Sequence, residues 1–208
     1  MPVLLPEDPS LSYPVSCHPD MLVFSRGRKL IITAEYYGAN KALFDGLGRD
    51  IVTTEEKTGR KYPHDVLLNA LAVGDILFAR TRSVSAKIRE LYSAGDTVDV
   101  KQGYTACSCC KAGERALITS DAGIAAAAAG RAIDVLTVSP GHVGIDVYPT
   151  GFIGGASFCV GDRVYFFGDP DRHPDSDRII KFLNSHGLKA VALSDGELFD
   201  FGGATALI

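Results

Sequence analysis

The strongest constraint on this chain is a strand-turn-strand pattern that returns along it at a spacing found in repeat and propeller architectures. Clear copies span residues 20–33, 107–119 and 156–167. Each turns about a glycine and shares a Gly-x-basic-apolar element: Gly27-Arg28-Lys29-Leu30, Gly113-Glu114-Arg115-Ala116 and Gly161-Asp162-Arg163-Val164. Glycine accepts the positive φ of a tight hairpin, the basic residue stays in water, and the apolar run behind it is buried. A looser copy covers 65–79 about Gly74, with a hairpin about two residues longer and no basic residue after the turn. The C-terminal Phe201-Gly202-Gly203-Ala204-Thr205-Ala206-Leu207-Ile208 reads as the first strand of a fifth copy.

Between the hairpins, residues 39–47, 84–93, 122–129 and 176–186 carry helical character. Asp121 is placed to cap the alanine-rich helix and Gly130 to end it, after which 133–138 reads as a strand. Asp175 or Ser176 is placed to cap the last helix, which sets Ile179, Ile180 and Leu183 on one face, ends at Gly187 and leads into a strand at 189–193. Each module is therefore ββαβ, starting near residues 18, 64, 105, 152 and 201. With 208 residues and 46% apolar composition, one α/β domain over 1–208 is expected. Pairing of residues 2–5 with 204–208 would complete the fifth module.

A net charge of -4 without a basic tract gives no footprint for nucleic acid or an anionic membrane. The N-terminus lacks the basic start and apolar run of a signal peptide, and no stretch approaches a membrane span, so a cytoplasmic location is expected. The five cysteines, Cys17, Cys107, Cys109, Cys110 and Cys159, are expected to be reduced thiols.

Three segments together resemble an uncharacterised bacterial family of the pentein, or guanidine-modifying-enzyme, fold: Gly103-Tyr104-Thr105-Ala106-Cys107-Ser108, Leu117-Ile118-Thr119-Ser120-Asp121, and Gly151-Phe152-Ile153-Gly154-Gly155-Ala156-Ser157. The resemblance runs from His18 onward. It implies a five-fold pseudosymmetric α/β propeller with a polar central cavity, in a superfamily of deiminases, dimethylarginine hydrolases and amidinotransferases that also holds non-catalytic members. In the catalytic relatives, acidic residues bind the guanidinium, a histidine moves protons, and a cysteine after a late Gly-Gly attacks the guanidine carbon. Here Gly202-Gly203 leads to Leu207 or a neighbour in the place of that thiol, and no cysteine follows Cys159. The central module reads Tyr104-Thr105-Ala106-Cys107-Ser108 where relatives carry Gly-His-x-Asp, so standard deiminase chemistry is not expected.

The polar residues that begin the modules are the candidates for a site. Cys107 is the candidate nucleophile, with His18 and His64 as proton carriers. Asp20 and Asp65 are placed to pair a guanidinium or amine, with Cys109, Gly154 and Gly155 completing the substrate-binding set. Inert packing of the cysteines and turn-capping by the aspartates stand beside these readings. Cys107 and Cys109 alternate along one strand rather than sitting in a metal-binding turn, so no metal is assigned. The glycines at 151–155 precede a strand instead of opening a helix, which is not a dinucleotide fingerprint, and no cofactor is expected. They allow close backbone approach at the cavity wall. His142 is read as an exposed loop histidine and 173–177 as a structural lead-in to the last helix. The expected partner is a small molecule, with oligomeric state open. Two functions remain: an enzyme, such as a hydrolase of amidine or amide compounds, or a binding module without chemistry.

Overall fold

The two-residue turns set the architecture. Gly27, Gly74 and Gly161 hold φ of +55°, +55° and +61°, while the following Arg28, Asp75 and Asp162 do not. Glycine first with only its own φ positive is the type II′ pattern, whose twist matches that of flanking strands. In the computed structural model, which describes residues 2–207, these turns close antiparallel pairs β1 (Val23–Arg26) with β2 (Lys29–Thr33), β4 (Leu71–Val73) with β5 (Ile76–Ala79), and β10 (Ser157–Val160) with β11 (Arg163–Phe166). The looser copy thus turns as tightly as the others, and its extra residues lie before β4. The pair β7 (Cys109–Lys111) and β8 (Ala116–Thr119) has a wider turn, closed by Ala112 N–H donating to Ala116 O at 2.9 Å.

A helix and a third strand follow each hairpin, giving ββαβ throughout. The third strands β3 (Asp50–Thr54), β6 (Thr97–Asp99), β9 (Asp134–Thr137) and β12 (Lys189–Ala192) pair in parallel with β2, β5, β8 and β11. Among the described residues the strands form four separate three-stranded sheets, each with the second hairpin strand in the middle.

The helices follow the capping signals unevenly. A short turn of helix, α1 (Pro19–Leu22), precedes β1, so Asp20 begins its module in a helical turn rather than on a strand. The expected helix at 39–47 is two short ones, α2 (Ala34–Ala39) and α3 (Lys41–Asp45), separated at Asn40. Thr33 caps α2 by accepting from Tyr36 N–H. The expected helix at 84–93 shortens to α4 (Ala86–Arg89), which Ser85 caps and Glu56 receives from another element. In α5 (Ala122–Ala129), Asp121 accepts Ile124 N–H at 2.8 Å, as its position promised. For α6 (Ser176–Ser185) the capping expectation needs correction. Asp175 is the N-cap residue, but its carboxylate makes no cap bond and instead accepts from Ser139 N–H and Arg178. These bonds hold it down to about 2.

The core alternates between modules. Leu30 and Ile32 of β2 pack against the module's own helix residues Tyr36 and Phe44, whereas Ile31 faces Ile88 of the next module. Leu77 and Ala79 of β5 pack with their own Ile88, and Phe78 with Ile124 and Ala128 of α5. Leu117 of β8 packs with Ile124, and Ile118 with Ile179 and Leu183 of α6. A middle strand covered on both faces cannot alternate apolar with polar, which explains runs such as Leu30-Ile31-Ile32.

The expected ladder between 2–5 and 204–208 is not formed by the described residues, which have no strand at either end. Ile208 lies outside the described residues. The two segments nonetheless line one cavity of about 520 Å³, together with Leu30, Phe44 and Leu47.

Phe78 is fully buried between two modules. Phe78→Ala is expected to cost about 3–5 kcal/mol in urea unfolding, while Lys29→Ala, on the exposed end of β2, stays within about 0.5 kcal/mol. Similar small losses at both positions would contradict this packing.

Candidate functional site

The first strands of all four modules face one cavity of about 540 Å³. Its wall takes Val23 to Ser25, Ala70 and Ala72, Cys109 and Lys111, and Ser157 to Cys159, and the C-terminal residues Gly202 to Ala206 close it. Asp20 lines this cavity as well. Its position follows from α1, whose first turn carries it and whose Asp20 N–H donates to Gly202 O at 3.2 Å.

Asp20 is half-buried, and its enclosed Oδ1 has no hydrogen-bond partner. Loss of water raises its pKa well above the usual carboxylate range, and the charge of Asp200 raises it further. The Cys107 thiol and the Asn69 amide offset part of this. Asp200, 2% exposed, accepts from Phe152 N–H and Gly202 N–H, both at 2.9 Å, yet burial still raises its pKa. His18 Nδ1 lies 3.7 Å from Asp200 Oδ1 without a hydrogen bond. Desolvation lowers His18 to about 4, so it is neutral at pH 7 and does not balance the carboxyls.

Asn69 organises the other side. Its amide nitrogen donates to Cys107 Sγ at 3.0 Å and to Asp20 O at 3.1 Å, and its Oδ1 accepts Ala106 N–H at 2.8 Å. Burial pushes the Cys107 thiol well up, reinforced by the charges of Asp20 and Asp200. A nucleophilic cysteine needs the opposite, an electropositive and accessible setting. Cys109 and Cys110 are likewise buried and pushed up to about 12. Among the described residues no group of three or more metal-ligating side chains is arranged to hold an ion.

The sequence candidates therefore divide. Asp20, Cys109 and Gly154 line the cavity. His18 and Cys107 lie buried behind Asp20, linked to it through Asp200 and Asn69. Asp65 is buried with Oδ1 unpartnered, and its Oδ2 accepts from Tyr104 Oη at 2.5 Å. His64 is exposed in a loop, its carbonyl accepting Gly59 N–H, so the trio Cys107, His18 and His64 is not brought together. His142 is also exposed.

Gly154 and Gly155 do permit close approach. A Cβ on Gly154 would fall 2.3–2.5 Å from the carbonyl oxygens of Ala106, Cys107 and Cys109, and one on Gly155 only 1.8 Å from Asp200 Oδ1. Asp200 and Asn69 were not among the sequence candidates. Asp200 had a signal: it is the acid standing before the fifth copy, as Asp20 and Asp65 stand before the first and second. Nothing local marks Asn69, whose role comes from contacts across 37 to 49 residues.

A family model described as a family of unknown function, DUF6873, matches residues 2–205. The chain belongs to this family. No curated protein matches the DUF6873 chain by sequence. Solved structures do match its fold. A dimethylarginine dimethylaminohydrolase adduct with S-methyl-L-thiocitrulline superimposes with a TM-score of 0.54 at 13% identity, over 89% of this chain and 74% of that one. SxtG, an amidinotransferase from Microseira wollei in the saxitoxin biosynthetic pathway, gives 0.51 at 10% identity, over 86% of this chain and 63% of that one. The DUF6873 chain thus spans less than two thirds of that amidinotransferase. These likenesses show that the chain shares the mixed α/β fold of those two enzymes. No helix among the described residues is long and apolar enough to cross a membrane.

The buried groups pull stability in opposite directions with pH. His18, lowered from 6.5 to about 4, contributes stability that is present above 6.5 and lost as pH falls toward 4. Asp20 and Asp200, both raised from 3.8, contribute stability present below 3.8 that is lost as pH rises through their folded values. Asp20→Asn removes one raised carboxyl and is expected to stabilise the protein by at least about 1 kcal/mol at pH 8 and by less at pH 5. Urea unfolding at the two pH values checks this, and equal destabilisation at both would contradict it. In iodoacetamide labelling of the native protein at pH 7.5, about the pH where an ordinary thiol begins to react, exposed Cys17 is expected to react first and Cys107 to stay protected.

Proposed function

We propose that this protein binds a small cationic nitrogen compound, an amine or an amidine-type cation, in its central cavity through Asp20, without covalent chemistry at Cys107. The observation that carries the reading is the unpartnered Oδ1 of Asp20, an enclosed carboxyl oxygen on the wall of a cavity of about 540 Å³. A buried carboxyl with no cation beside it is costly, and a ligand supplying the missing donor and charge removes that cost. Asp200 adds to the attraction, because a cation in the cavity is drawn to both carboxyls and offsets their mutual repulsion. The dimethylarginine hydrolase and the amidinotransferase that share the fold are named for amidine-bearing groups, which supports the same ligand class.

A binding role is favoured over thiol catalysis because Cys107 is buried and protonated while His64 is exposed in a loop. Cavity closure also enters the proposal. The Gly202 to Ala206 segment lines the cavity beside four first strands, which supports a five-fold pseudosymmetric propeller whose fifth position is held by that segment.

Calorimetric titration with methylguanidinium, methylammonium and agmatine tests the reading. Binding of at least one at pH 7.5 is expected, and it is expected to weaken as pH falls and Asp20 takes up its proton. Asp20→Asn is expected to weaken it by at least about 10-fold. Absence of binding by all three, or binding unchanged in Asp20→Asn, would overturn it.

A further inference from the structure

The repeat leaves one sheet face without its cover. On the first three sheets, the side of the middle strand turned away from its own helix is covered by the next module: Ile31 by Ile88, Phe78 by Ile124, Ile118 by Ile179. On the fourth sheet the equivalent residue is Tyr165, which belongs to no core cluster and is only half-buried. The residues on its side of the sheet are apolar all the same. Phe158, the cross-strand partner of Tyr165, stacks on it at 5.1 Å, and Phe167 packs on Phe158 at 5.5 Å. Val160, two residues along from Phe158, is 37% exposed, and Val191 pairs with Tyr165 from the other side. Phe201 extends the aromatic group through Phe167 and is 53% exposed. Contiguous apolar surface of this kind marks a contact site more often than a solvated face.

The charges around this face indicate what covers it. At the start of β11 and β12, Arg163 and Lys189 stand directly opposite each other, both exposed, on the side that carries Tyr165, and Arg163 is also paired with Asp162 of the adjoining turn at 3.7 Å, which leaves this end with a net positive charge. At the other end, the turn leaving β12 presents exposed Asp195 and Glu197. One end is basic, the other acidic, with the aromatic group between. A surface so divided complements itself when a second copy is turned by a two-fold axis through its middle, since each basic end then meets the partner's acidic end.

We infer that the open face of the fourth sheet is a self-association surface, on which two copies of this chain pack sheet to sheet in an isologous dimer. The aromatic residues form the dry centre and the two charged ends fix the register.

Sedimentation equilibrium of the purified chain tests this. A species of twice 22.1 kDa is expected at roughly micromolar concentration. Val160→Asp sets a carboxylate opposite Arg163, which removes apolar surface at an already exposed position and cancels charge at the basic end, and is expected to weaken association by at least about 10-fold, with the far-ultraviolet circular dichroism unchanged. The double variant Arg163→Glu with Lys189→Glu is also expected to dissociate the dimer, and adding Asp195→Lys with Glu197→Lys to the same chain is expected to restore it, which general destabilisation would not do. A monomer at every concentration up to about 100 µM overturns the inference. So does a dimer indifferent to Val160→Asp, or a quadruple variant as weak as the double.

Discussion

The arrangement rests on the burial of the middle strands of the first three sheets from both sides. Leu30 and Ile32 look to their own helices while Ile31 looks to the next module, and the same division recurs at Leu77 and Phe78 and at Leu117 and Ile118. Helices α4, α5 and α6 therefore each fill the space between two sheets, and the modules they join share one core. Because helices and middle strands occupy the space between modules, the first strands are left to face one another, and the cavity lies among them. Its position follows from packing that involves none of its polar residues.

That packing also explains which groups the cavity brings together. The segments entering the first strands converge behind the cavity wall, and they carry His18, Asp20, Asn69, Cys107 and Asp200. Glycines at 154 and 155 let the backbone close to distances that a Cβ would forbid. The result is an enclosed group with two carboxyls, a neutral imidazole and a protonated thiol, and no fixed cation. Natural cores seldom retain unpaired buried acids for stability. Two such acids beside one cavity are the observation behind the proposed cation site.

Much of the fold was legible because its signals are local. A glycine at the first turn position fixes a hairpin, and Asp121 with Gly130 bounds an alanine helix to the residue. The helix expected at 84–93 shrank to four residues because Ser85 and Glu56 start it only at Ala86 and the chain then turns toward β6. Asp175 was drawn from its cap by Ser139 and Arg178, one of them 36 residues away. The site was legible where position in the repeat marked it, as at Asp20 and Asp65. It was not legible at Cys107, whose type suggests a nucleophile while its enclosure beside two carboxyls keeps the thiol protonated, a property of the folded surroundings that residue type does not carry.

The central claim is that burial raises the Asp20 carboxyl and that a cation bound in the cavity ionises it. The most direct measurement is the carboxyl ¹³C shift of Asp20 followed against pH, assigned by comparison with Asp20→Asn, with and without saturating methylguanidinium. The account predicts titration well above the ordinary value of about 3.9 in the ligand-free protein and a large downward displacement when the cation is bound. Titration of Asp20 near that ordinary value, unmoved by the cation, would contradict it.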